Sequence, residues 1–383
     1  MGAGFAGLAS ATLLARAGHR VTVFEKFATP RAVGAGILVQ PTGLAAMRTL
    51  GIEGEILAHG AKADWLYGVN HRGRPVIDIR YDRWQPGSYG LGLHRGVLFN
   101  ALWSAATQAG VHIATGHEVT QLTELGSYDL RVIADGSASQ LRGQTGLPVK
   151  DKIYPWGAVW AVLPDAQRHY GSTLWQWYRG AHQMLGIMPT GLAPAGDGLH
   201  ANTPVVSLFW SLRADRYSAL QAAGLQAWKD TLLALNPACS PLLDHITSMD
   251  QLTWARYHDI SMPRYHTDNT VVIGDAAHAT SPQLGQGTNL ALLDAVALAG
   301  SLAKHSTLPN ALAAYTRERK GHLHFYSQAS RLLTPLFQSD QTVLPWLRDV
   351  FLATSSGWPV LKGVNLQTLV GVRTGWLGGS LRL

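Results

Sequence analysis

An α/β fold is predicted for this chain, with a parallel dinucleotide-binding sheet, an inserted mixed β-sheet and a helical C-terminal tail. Three stretches predict it. Residues 270–299 read as buried strand, aspartate, glycine loop and helix; residues 1–25 read as glycine turn, helix and a strand closed by an acid. Residues 151–260 gather seven of the thirteen tryptophans into short segments of strand character.

At 383 residues and 46% hydrophobic composition, the chain can fill two or three domains. Gly2, Gly4 and Gly7 stand in GxGxxG spacing before an Ala/Leu helix that Gly18 would cap. Such a turn lets a pyrophosphate sit on the helix N-terminus. Arg20 to Phe24 form the next strand, and Glu25 follows Gly7 by 18 residues. That is near the ~20 expected of an acid that binds a ribose hydroxyl. In this kind of fold the glycine turn follows a first apolar strand, yet Met1 directly precedes Gly2. The expectation is that the natural chain starts upstream with that strand. Without it the strands at 21–24 and 271–273 would lack their shared neighbour, at about 1–3 kcal/mol for each unsatisfied backbone group.

Residues 31–51 give a second glycine loop, a proline-initiated helix and a glycine stop, and residues 65–81 alternate about the turn His71-Arg72-Gly73, which predicts a hairpin of the second sheet. Arg95 opens a helix, Val111 and Ile113 lie in a strand, and Asp135-Gly136 end another. In the tryptophan-rich region Trp156, Ala158 and Trp160 share one strand face, as do Trp175, Trp177 and Arg179. Such a face could roof an apolar cavity, so Trp175, Trp177 and Arg179 are candidate pocket residues with Pro282.

The run Val271-Val272-Ile273 then ends at Gly274 and Asp275. A carboxylate there can accept hydrogen bonds from a sugar alcohol. The loop glycines let backbone N–H groups approach a flat ligand, and the helix beyond offers about half a positive charge. Residues 309–333 are helical; His322 and His324 face different ways on that helix, which argues against a metal pair. Residues 334–383 read as an apolar helical segment that covers the sheet or joins a partner.

The segment GDAAHATSPQLGQGTN, residues 274–289, resembles the second FAD fingerprint of the group A flavoprotein aromatic monooxygenases, proteins similar to p-hydroxybenzoate and salicylate hydroxylases. With the glycine turn and the DG motif, the resemblance spans roughly residues 2–295. It implies a Rossmann-type FAD-binding domain lacking its first strand (1–64, 82–150 and 261–333), a substrate domain (65–81 and 151–260) and a C-terminal helical segment (334–383). It implies cofactor contacts from Gly2, Gly4, Gly7, Glu25, Arg95, Asp135, Asp275, Gly285, Gln286, Gly287, Thr288 and Asn289. Arg31, Gly36, Gly136 and Arg142 would lie nearby, Arg142 towards the nicotinamide approach, and the strand in GIMPTG, 186–191, would end beside the active site.

The implied activity is hydroxylation of an aromatic or other electron-rich small molecule through a C4a-hydroperoxyflavin, using FAD, O2 and NADH or NADPH. An FAD-dependent oxidase or cyclising dehydrogenase is the alternative. A flavin halogenase fits less well, because Trp175-Gln176-Trp177-Tyr178-Arg179 lacks the Ile-Pro of WxWxIP, and a non-catalytic FAD-binding protein is the remaining reading. No catalytic base is legible.

Composition narrows the partners. Thirty-one Lys and Arg against 24 Asp and Glu give +7, a field that suits an anionic cofactor, without the basic runs of a nucleic-acid binder. The single Cys239 excludes an internal disulfide or thiolate metal site. No apolar run reaches the ~18 residues of a membrane span, which points to a cytoplasmic protein. Only 14% of residues are charged, so part of the surface could meet a partner subunit, a homodimer being the simplest.

Overall fold

The computed structural model describes residues 1–30, 36–196, 198–355 and 359–381. In chain order the first half runs α1 (Phe5–Arg16), β1 (Thr22–Glu25), β2 (Ile37–Val39), α2 (Pro41–Thr49), α3 (Glu53–His59), β3 (Ala61–Ala63), β4 (Trp65–Asn70), β5 (Pro75–Arg80), β6 (Gly90–Leu93), α4 (Arg95–Gln108), β7 (His112–Thr115) and β8 (Arg131–Ile133). Long strands follow: β9 (Lys150–Pro164), β10 (Thr173–Arg179), β11 (Gln183–Leu192) and β12 (Pro204–Arg213). Then come α5 (Tyr217–Leu233), α6 (Ser240–Leu243), β13 (Thr253–Ser261), β14 (Thr270–Val272), α7 (Asp275–His278), α8 (Gly287–Lys304), α9 (Leu308–Phe337), α10 (Val343–Ser355) and α11 (Pro359–Val370).

Parallel pairing of β1 with β7 and of β14 with β8 supplies the short strands beneath the glycine motifs. Met1 and Gly2 bridge the two pairs. The Met1 amine donates to Val132 O at 2.8 Å, Ala134 N–H to Met1 O at 2.9 Å, and Gly2 N–H to Phe24 O at 2.8 Å. The expectation that these strands wholly lack a common neighbour is therefore corrected: the backbone of Met1 and Gly2 fills the slot at the carboxyl ends, where the motifs sit. Helix α1 packs on α8 and α4, burying Leu8, Ala9, Leu98, Leu102 and Leu292 in one cluster. A second correction concerns the loop after Gly274, which opens with the single helical turn α7 rather than running as a plain polar loop.

The larger sheet has the order β13-β9-β12-β11-β10-β4-β5, with only the β10–β4 pair parallel. The predicted hairpin forms: β4 and β5 pair antiparallel about Gly73, and Asn70 Oδ1 accepts the N–H groups of Arg72 and Arg74. One face of this sheet packs Val159, Ala161, Leu185, Ile187, Leu208 and Trp210 against Trp228 and Leu232 of α5 and Leu242 of α6. The other face carries Tyr178, Met184, Met188, Phe209 and Trp160 towards Leu38 of β2 and Phe337 of α9. That second face turns to the glycine motifs.

Candidate active site

The glycine turn is built for close approach. Gly2 has φ +92°, and a Cβ there would lie 2.5 Å from Ala134 O. A Cβ on Gly7 would lie 2.0 Å from Gly2 O, so α1 can begin where it does only with glycine at both places. Gly4, the N-cap of α1, faces open space, no side chain caps the helix and no acid stands in its first turn. The orphan N–H groups of that turn are thus available to an anion. Glu25 is buried, and its oxygens accept Ala3 N–H at 2.8 Å and Phe27 N–H at 3.0 Å. Its carboxylate braces the turn, which leaves its remaining lone pairs for the expected ribose hydroxyl.

Asp275 is exposed at the start of α7, after Gly274, whose φ of +60° suits glycine. A Cβ on Gly287 would stand 3.9 Å from Asp275 Oδ1, so this carboxylate lies beside the first turn of α8, which also lacks a side-chain cap and an acid. Arg95 opens α4 with its guanidinium 5.1 Å from the Phe5 ring centroid. Burial pulls the Arg95 guanidinium below its ordinary range, opposed by the fields of Asp275 and then Tyr257. Arg95 Nε and Asp135 Oδ1 are both buried without a hydrogen-bond partner. Two such orphans beside two uncapped helix N-termini mark a place completed by a polar ligand.

Arg142 holds the two acidic turns side by side. Its buried guanidinium donates to Ser137 O at 3.3 Å, to Ala276 O at 2.8 Å and to Asp151 at 2.5 Å. Its Nη donors are committed to the scaffold.

Two further loop residues also turn side-chain donors to the scaffold. Gln286 turns its side chain inward, and Nε2 donates to Leu369 O at 2.6 Å and Thr368 O at 3.3 Å, the carbonyls that end α11. Asn289 Oδ1 accepts Gln40 N–H at 2.9 Å while its Nδ2 donates to Gly285 O at 2.9 Å and Leu38 O at 3.3 Å. These amides shape the loop, leaving Pro282, Gly285, Gly287 and Thr288 at least partly open. Gly36 N–H donates to Ser207 Oγ at 2.8 Å, and Arg31 lies outside the described residues.

The tryptophan assignment is corrected by register. Trp175 pairs with Ile187 and Trp177 with Leu185, both on the α5 face, and Arg179 donates to Ala234 O at 2.9 Å beyond α5. All three point away from Asp275. Alternation puts Gln176 and Tyr178 on the opposite face with Gly186, Phe209 and Trp160. Trp160 and Phe209 rings lie 4.9 Å apart, and Trp160 Nε1 donates to the Tyr257 hydroxyl at 3.2 Å. Burial pushes the Tyr257 phenol up to about 12, so it remains a neutral donor at physiological pH. The sequence signal for Trp160, Phe209 and Tyr257 was the same period-two pattern, but a pattern does not say which face is inward.

Behind the loop lies a buried charged network. Asp294 accepts Arg319 Nε at 2.8 Å, Gly274 N–H at 2.9 Å and His278 Nε2 at 2.5 Å. Burial alone would raise the Asp294 carboxyl, but the fields of His278 and Arg319 hold it below the usual carboxylate range. Arg319 Nη1 donates to His322 Nδ1 at 2.8 Å, and His322 Nε2 donates to Gly371 O at 2.8 Å, which fixes a neutral imidazole. Burial, then the Arg319 charge, pull His322 from its ordinary 6.5 down to about 3. Between those values the unfolded chain binds a proton that the folded chain refuses, so stability is full above pH 6.5 and falls as the pH drops towards 3. From pH 7.5 to 5.5 this group alone should remove about 1.4 kcal/mol. His322→Gln should flatten that part of the pH dependence of chemical denaturation; an unchanged slope would contradict the assignment.

A glycine turn under one helix, an aspartate at the mouth of another and an arginine between them are a set of groups that suits a dinucleotide. Residues 1–328 match the family model described as FAD binding domain, and the chain belongs to that family. Within it, the chain is a group A flavoprotein aromatic monooxygenase, as the resemblance implied. Its relatives include the 2-heptyl-3-hydroxy-4(1H)-quinolone synthase of Mycobacteroides abscessus, 29% identical over 82% of this chain and 83% of that one. Kynurenine 3-monooxygenase of Stenotrophomonas maltophilia is 29% identical over 84% of this chain and 74% of that protein. Among solved structures, Klebsiella pneumoniae HpxO complexed with FAD and uric acid shares the fold, with a TM-score of 0.79 at 20% identity over 98% of this chain and 96% of that one. Among the described residues, no helix is long and apolar enough to cross a membrane.

Proposed function

We propose that FAD lies along the line from the α1 glycine turn to the mouth of α8, and that the substrate rests between the Pro282–Gly287 loop and the inner face of the large sheet. The observation that carries this reading is the place of Arg95, its Nε orphaned, beside Phe5 at the start of α1 and within the field of Asp275. When bound, FAD takes electrons from NADH or NADPH and, with O2, supplies the oxidant that hydroxylates an aromatic ring. The protein's own residues do the rest. The α1 N-terminus and Arg95 neutralise the pyrophosphate, Asp275 accepts from the ribityl hydroxyls, and the N-terminus of α8 favours negative charge on the flavin ring. On this reading residues 1–64, 82–150 and 261–333 form a Rossmann-type cofactor domain, and residues 65–81 and 151–260 the inserted substrate domain.

The lining favours a neutral aromatic substrate. The half-buried Trp160 ring, in one cluster with the buried Phe209, Tyr178, Met184 and Met188, offers flat, apolar surface, and Tyr257 offers one neutral hydroxyl. The arginines at the edges of that face are already matched by carboxylates: Arg213 by Asp215 and Asp340, Arg331 by Asp259, and Arg348 by Asp349. A substrate carboxylate placed beside Arg213, Arg331 or Arg348 would compete with the carboxylates that already hold these guanidinium groups, and burying it unpaired would cost several kcal/mol. The quinolone synthase relatives carry the name of a product of the matching kind, a neutral fused heteroaromatic. A screen that follows NAD(P)H loss should give kcat/KM at least tenfold higher for neutral fused heteroaromatics than for hydroxybenzoates or hydroxynicotinates. Preference for the carboxylates would refute this part of the reading.

A further inference from the structure

Asp275 sits on a turn that something must hold in place. Helix α7 is only four residues long, Asp275 to His278, and no side chain caps it from Gly274. A helix so short has no stability of its own. Both ends of the turn are gripped by one carboxylate: Asp294 Oδ2, from α8, accepts Gly274 N–H at 2.9 Å and meets His278 Nε2 at 2.5 Å. The other oxygen, Oδ1, is aligned by Arg319 Nε of α9 at 2.8 Å. Arg319 also donates to Leu290 O at 3.3 Å, and through His322 the contact reaches Gly371 O, beyond α11. Asp294, Arg319, His278 and His322 are all buried. Packing alone does not ask for this arrangement, because an apolar cluster of the same volume would join α8 to α9 at least as well. An apolar cluster could not, however, fix a backbone N–H and an imidazole on either side of Asp275.

We propose that Asp294 is a positioning residue for Asp275, with Arg319 orienting it and His322 linking it to the C-terminal segment, so that the place of the flavin-facing carboxylate is set from three helices behind it. This inference rests on the reading of Asp275 as the acceptor for FAD. Gly274 reinforces it, since its φ is +60° and a Cβ there would fall 2.8 Å from Ala6 Cβ. The backbone before Asp275 therefore has one close-fitting conformation, and the Asp294 bond selects it. Residues on α8 and α9 far from any ligand atom would thereby tune cofactor affinity.

The test is a double-mutant cycle on the full chain, read by flavin fluorescence titration of the apoprotein and by apoprotein melting. Asp294→Asn is expected to weaken FAD binding 10- to 100-fold in the Asp275 background but less than threefold when Asp275→Ala is already present. Equal weakening in both backgrounds would overturn the proposal, as would a lower apoprotein Tm with an unchanged Kd. An Asp275→Ala single variant with unaltered Kd would instead overturn the seat assigned to FAD, and the proposal with it. Should Asp294→Asn not fold, Arg319→Lys, which keeps the neutralising cation but not the guanidinium contacts, carries the same cycle with the same outcomes.

Discussion

Asp275→Ala is expected to weaken FAD binding about 10- to 150-fold, the equivalent of ~1.5–3 kcal/mol for the loss of a charge-assisted acceptor. Asp275 is exposed and Asp294 is the carboxylate that bonds the surrounding turn, so removing the Asp275 side chain should leave the fold intact. Flavin released from purified protein, compared with the unaltered chain, gives the first reading; titration of the apoprotein gives Kd. Full occupancy with unchanged Kd would place the sugar chain elsewhere.

Arg319→Leu should have the larger effect on stability. Arg319 and Asp294 are 2% and 0% exposed, and the substitution strips a buried carboxylate of its guanidinium. Breaking such a pair on one side costs about 3–5 kcal/mol, a large share of the ~5–15 kcal/mol that holds a folded domain. The expected result is a melting temperature lower by several degrees and a reduced yield of folded protein. A variant that melts like the parent would show that His278 alone satisfies Asp294. The same pair carries an acid limit: the Asp294 carboxyl lies below its usual range when folded, so its contribution is complete above the ordinary carboxylate value and is lost as the pH falls through the depressed one.

Much of this site was legible because backbone demands leave marks in sequence. Gly2 and Gly7 are required by contacts no other residue survives, and Gly274-Asp275 follows a β-branched run whose three strand residues are buried. Those constraints act between near neighbours. Gln286 and Asn289 were read as ligand contacts because they stand in the same loop, yet their partners are Leu369, Thr368 and Gln40, far away in the chain. Nothing local distinguishes an amide that faces a ligand from one that ties down a distant helix end. The tryptophans show the limit of periodicity: Trp175 and Trp177 were placed together on one face correctly, but whether that face met α5 or the cofactor motifs depended on which helix covered it. Likewise Asp294, Arg319 and His322 lie in helical sequence with polar residues at buried positions, and only their meeting in space shows that they form one network.

The central claim is that this chain couples nicotinamide oxidation to insertion of one oxygen atom into an aromatic ring. Turnover of the best neutral substrate under 18O2, with NAD(P)H and O2 consumption followed together, tests it most directly. One O2 should be consumed per NAD(P)H, with one labelled oxygen atom in the product. O2 consumption without NAD(P)H, or product free of label, would contradict it and favour an oxidase on the same fold.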